Sequence, residues 1–174
     1  RQRQMCIRDS YMQESGGRRL KRAVNIDITS VRFCDDEMLQ RYRQIPYVRD
    51  YMEWKASAPP PHDESDIADL PGVLRADSLT NLGIFRAYLQ AYLKNHPDLR
   101  QDMAIMVRQL APTENGVPIE LYAFTGTTVW DKYESIQADI FDHVFAIVSA
   151  FDLRIKQNPG GNDLKALVQS KPEQ

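Results

Sequence analysis

The sequence predicts an α+β domain in which helices cover one face of a four-stranded antiparallel sheet. Three observations carry this. An apolar pattern of period two begins at Leu20, two more such runs lie between 103 and 124 with a turn between them, and helical spacing fills the intervening and following stretches. The chain has 174 residues, enough for one domain that removes roughly two-thirds of its unfolded surface from water.

The first strand comes from Leu20, Val24, Ile26 and Ile28 on one side, with Lys21, Asn25 and Asp27 on the other. Arg22 is the exception on the apolar side. The pattern allows extension through Val31 and Phe33. Asp35, Asp36 and Glu37 then form a helix start, since carboxylates suit the unpaired N–H groups there. Met38, Leu39, Tyr42 and Ile45 give the spacing and Pro46 ends it. Val48, Tyr51 and Met52 mark a second helical piece. Residues 57–78, rich in proline and acid, read as a surface insertion with a short strand near Val73 and Leu74. Leu82, Phe85, Tyr88, Leu89, Tyr92 and Leu93 make the next helix, stopped at Pro97.

The clearest β signal is a hairpin. Met103, Ile105 and Val107 alternate with Ala104, Met106 and Arg108. After "PTENG", Ile119, Leu121 and Ala123 alternate with Glu120, Tyr122 and Phe124. Asn115-Gly116 suits a turn needing positive φ. Tyr133, Ile136, Ile140, Val144, Ile147, Val148 and Phe151 form the stripe of a helix over about 130–151. A short strand, "LRIKQ", follows before Pro159-Gly160-Gly161. The order strand, helices, hairpin, helix, strand is that of a ferredoxin-like split β-α-β sandwich, with an insertion in its first crossover.

Charge and composition exclude more than they assign. Twenty-two basic and 24 acidic residues leave a net charge of −2, so nothing draws the whole chain to nucleic acid. Two cysteines, Cys6 and Cys34, define no disulfide framework. No run approaches the roughly 18 apolar residues of a membrane span. Residues 1–11 read as a disordered or artefactual arm, and the chain is expected to be a fragment. The tail, 159–174, is polar.

Few residues suggest chemistry. Asp139, Asp142 and His143 sit within one turn, but a metal site needs a further ligand and neither His62 nor His96 is designated as one. Gly16-Gly17 with Arg18-Arg19 could cradle a phosphate, but these glycines precede a strand, whereas a phosphate loop follows one. Tyr122 and Phe124 share a strand face, yet no RNA-binding aromatic motif surrounds them. Cys34 has no nearby His. No catalytic residue, metal site or cofactor is therefore expected.

Several separated runs nevertheless resemble one family. They are "MQESGGRRLKRAVNIDITSVRFCDDEMLQRYRQI", "LTNLGIFRAYLQAYLKNHPDL", "MVRQLAPTENGVPIELYAFT" and "YESIQADIFDHVFAIVSAFDLRIKQNPGG". Together they resemble the cytoplasmic part of bacterial small-conductance mechanosensitive (MscS-like) channels, in the miniconductance, YbdG-type branch. The resemblance covers about 12–161. It implies the end of a β-domain and a hinge at 12–19, with Gly16 and Gly17 as the joint, then a cytoplasmic α/β domain at 20–158. It also implies identical subunits as partners, seven in number, a membrane reached through helices upstream of this chain, and no nucleic acid. Channel opening under membrane tension to release solutes on hypoosmotic shock is the implied function. On this reading Arg18, Arg19, Lys21 and Arg22 lie at an interdomain or intersubunit seam, and Met106, Tyr122 and Phe124 form an apolar patch at a subunit contact. A free-standing ferredoxin-like module binding RNA or a small ligand is the alternative.

Overall fold

A computed structural model describes residues 16–57, 79–158, 160, 161 and 165. The arm at 1–11, the strand expected near Val73, most of the insertion with His62, and most of the tail lie outside these residues. Three strands form one antiparallel sheet: β1 (Arg19–Ile26), β2 (Met106–Gln109) and β3 (Val117–Phe124), in the order β1-β3-β2. The helices are α1 (Asp36–Tyr42), α2 (Arg49–Ser57), α3 (Asn81–Lys94) and α4 (Trp130–Ile147). Among the described residues no helix is long and apolar enough to cross a membrane.

Among the described residues the sheet has three strands, and the expected fourth is not among them. The "LRIKQ" stretch contributes one bridge, Ile155 opposite Ile26. Asp27 N–H donates to the Arg154 carbonyl at 2.7 Å and Lys156 N–H to the Asn25 carbonyl at 2.9 Å. Further along β1 the free edge is taken by a side chain. The Tyr133 hydroxyl already occupies the Arg19 carbonyl at 2.9 Å.

β1 is also shorter than its pattern allowed. Asp27 accepts from Thr29 N–H at 3.0 Å and Thr29 Oγ1 at 2.8 Å, which turns the chain into a 3-10 helix over Ile28–Ser30. A short acidic side chain competing for backbone donors outweighs the apolar alternation. Ile28 is exposed as a result, and Phe33 bridges Thr80 instead of extending β1.

Helix starts follow the sequence. Asp35 accepts from Met38 N–H at 2.8 Å and Thr80 Oγ1 from Gly83 N–H at 3.0 Å. The last helix divides into α4 and a 3-10 turn over Val148–Phe151, closed by Asp152 at φ 57°. Tyr42 donates to Asp152 Oδ2 at 2.6 Å and Arg41 at 2.9 Å. That fixes Asp152 in its left-handed turn.

The core lies between sheet and helices. Leu20, Val24, Ile26, Val117, Ile119, Leu121 and Ala123 meet Phe85, Leu89, Ile140, Val144 and Phe151, all buried. Asn81, fully buried, joins the 30–32 segment to α3: its amide donates to the Ser30 carbonyl at 2.9 Å, and its oxygen accepts from Arg32 N–H at 3.0 Å. On the outer edge of β2, the Gln90 side chain substitutes for a strand. Its oxygen accepts from Val107 N–H at 3.1 Å and its amide donates to the Ile105 carbonyl at 3.1 Å.

Candidate interaction surface

Register sets out the other face of the sheet row by row. Arg19 lies opposite Phe124. Lys21, Tyr122 and Met106 form one row across the three strands, and Ala23, Glu120 and Arg108 form the next. Period two places these side chains away from the core. The patch expected from Met106, Tyr122 and Phe124 is thus brought together: Met106 pairs with Tyr122, and the Tyr122 and Phe124 rings meet edge to face at 5.6 Å.

Within the patch the roles differ. Met106 is 40% exposed and Tyr122 half-buried, whereas Phe124 is only 7% exposed. Phe124 is therefore packed within its own chain, and the accessible apolar floor is Met106 with Tyr122. Glu120 is similarly covered and accepts from Arg108 Nε at 3.1 Å. The pair neutralises itself and leaves Arg19 and Lys21 as the face's cations, with no ion-pair partner among the described residues.

The four seam cations separate by side. Arg19 and Lys21 belong to this open face. Arg18 and Arg22 turn to the helices, where the Arg18 guanidinium sits 4.5 Å from the centre of the Trp130 ring and 5.4 Å from that of Tyr133. The Arg22 guanidinium sits 4.5 Å from the centre of the Phe141 ring. Cation–π stacking on α4 accounts for an arginine on the apolar side of β1. Period-two reading could flag Arg22 as an exception, but only the packing of α4 supplies its partner.

Gly16 has φ 70°. A Cβ on buried Gly17 would lie 2.3 Å from the Thr125 carbonyl oxygen. The backbone here passes close to the strand end, with Thr125 N–H donating to the Arg18 carbonyl at 2.9 Å.

The remaining candidates have other settings. Among the described residues no group of three metal-ligating side chains gathers. His143 Nε2 shares a 2.6 Å hydrogen bond with the Tyr88 hydroxyl, and its ring stacks on Tyr92 at 4.3 Å. Burial, then His96, lowers its pKa, while burial, then Tyr92, pushes Tyr88 up to about 12. Burial, then Asp35, pushes the Cys34 thiol up to about 11, which disfavours the nucleophilic thiolate. A base-stacking platform needs exposed ring faces, and covered Phe124 supplies none.

Comparison with known proteins adds a second line. Residues 80–155 match the family described as "Mechanosensitive ion channel MscS, C-terminal". Over 79 residues the chain is 32% identical to the low conductance mechanosensitive channel YnaI of Escherichia coli (strain K12). That stretch is 44% of this chain and 22% of the relative, so the chain spans well under two-thirds of the relative's length.

Proposed function

We propose, from the premise that this chain belongs to the MscS-like mechanosensitive channel family, that it is the C-terminal cytoplasmic part of a channel subunit. The observation that carries this reading is the family match over 80–155, which takes in α3, the β2–β3 hairpin, α4 and the Ile155 bridge. In this reading the intact protein opens under membrane tension and releases solutes on hypoosmotic shock. Residues 12–19 are the joint to a preceding β-domain, and 20–158 build the wall of a cytoplasmic chamber. Identical subunits, seven by resemblance, meet through surfaces that include the open sheet face. An apolar floor of Met106 and Tyr122 beside Arg19 and Lys21, which have no ion-pair partner among the described residues, supports a contact there. The miniconductance branch rests on the sequence runs alone.

Survival after osmotic downshock tests the channel reading. In a host lacking its own mechanosensitive channels, the intact gene is expected to restore survival, and patch recordings of the same cells should show tension-gated openings. No rescue and no openings from membrane-inserted protein would refute it.

A further inference from the structure

We propose that the open sheet face of one copy receives the outer face of α2 from the next copy, with Trp54 seated on Met106 and Tyr122. This rests on the reading of the sheet face as a subunit contact and names the element that fills it. Asp50, Glu53 and Trp54 are spaced i, i+3, i+4 and share one side of α2. Val48 and Met52 anchor the opposite side in the core. Trp54 is 64% exposed, the most exposed large apolar side chain described, and among the described rings it meets Tyr51 alone, at 6.0 Å. Asp50 and Glu53 are exposed and have no ion-pair partner among the described residues.

The two surfaces complement each other in sign and in apolar content. The sheet offers Arg19 and Lys21 around an aromatic and thioether floor; α2 offers two carboxylates around an indole. Self-pairing of either surface about a two-fold axis would oppose like charges, which costs affinity. The sheet face points away from the helices and α2 belongs to the helix side, so the two docking surfaces of one molecule look in opposite directions. Contact between unlike faces is head-to-tail, the kind that closes into a ring where the rotation between copies permits. Phe145 on α4 is also exposed, but less so at 45%, and it lies against Phe141 at 6.0 Å.

Photo-crosslinking of the intact subunit in cells tests the contact. With Trp54 replaced by photoreactive benzoylphenylalanine, an intersubunit product mapping to the β1 or β2 peptides around Lys21 and Met106 is expected. Glu53→Lys should lower its yield by about tenfold, the factor that ~1.4 kcal/mol of lost pairing gives, and adding Lys21→Glu should restore it. The same probe at position 106 should reach α2, and Phe145→Ala should change neither yield. Products from position 106 that map away from α2 would overturn the α2 assignment while the sheet face stayed a subunit contact. No intersubunit product from either probe would overturn both.

Discussion

Gly17 shows how much one hydrogen atom in place of a side chain can matter. Its Cα faces the Thr125 carbonyl so closely that a methyl group would lie 2.3 Å from the oxygen. Gly17→Ala is expected to lower stability by about 1–3 kcal/mol, since backbone must shift to admit the methyl; urea denaturation reads the loss. His143 titrates in a half-buried aromatic setting. Its folded-state pKa lies below the usual 6.5, so the unfolded chain binds the proton more tightly. The stability this group contributes is complete above about 6.5 and is lost as pH falls through the depressed value. Unfolding midpoints should decline on acidification below neutrality, and His143→Gln, which keeps an acceptor for Tyr88, should flatten that decline. An equal slope in the variant would exclude His143 as its source.

At the scale of elements, the sheet is held by side chains as well as by its ladder. Gln90 closes the free edge of β2 with two hydrogen bonds. Gln90→Ala should cost about 1–2 kcal/mol at roughly 1 kcal/mol per bond. It should also increase aggregation in light scattering, because an open edge accepts foreign strands. Arg108→Ala would strand the covered Glu120 carboxylate. A loss of about 1–3 kcal/mol is expected, reduced towards the lower end because the arginine is half exposed. Urea denaturation of variant and wild type reads the loss.

Strands β1 and β3, the hairpin turn and all four helices were readable from the sequence, because period and capping are local signals. Gly116 has φ 102°, as the turn required. The misreadings had one local and one non-local cause. The Asp27 side chain, bonding two residues ahead, cut β1 short, and the final strand is a bridge on an edge where Tyr133 takes the Arg19 carbonyl. The patch residues could be placed on one face by alternation alone, but their exposure could not. Phe124 is covered in three dimensions, and Trp54 stands out only once Val48 and Met52 are seen to orient α2.

Across the whole molecule, the chain reaches the sheet at Arg19 and departs beside the opposite end of β1, where Ile155 bridges Ile26. A pull between those ends runs along β1. Its eight paired positions with β3 are then loaded together in shear, like a lap joint, and must slide as a set. The Ile155 contact, with its two hydrogen bonds, would peel first. In single-molecule stretching from residues 18 and 158, a weak early release at the C-terminal end should precede one much stronger break. Replacing Lys156 with proline, which deletes the N–H donated to the Asn25 carbonyl, should weaken only the first. β1, which the chain enters at Arg19, is thus the stiffest part of the described fold, and the compliance lies at its far end.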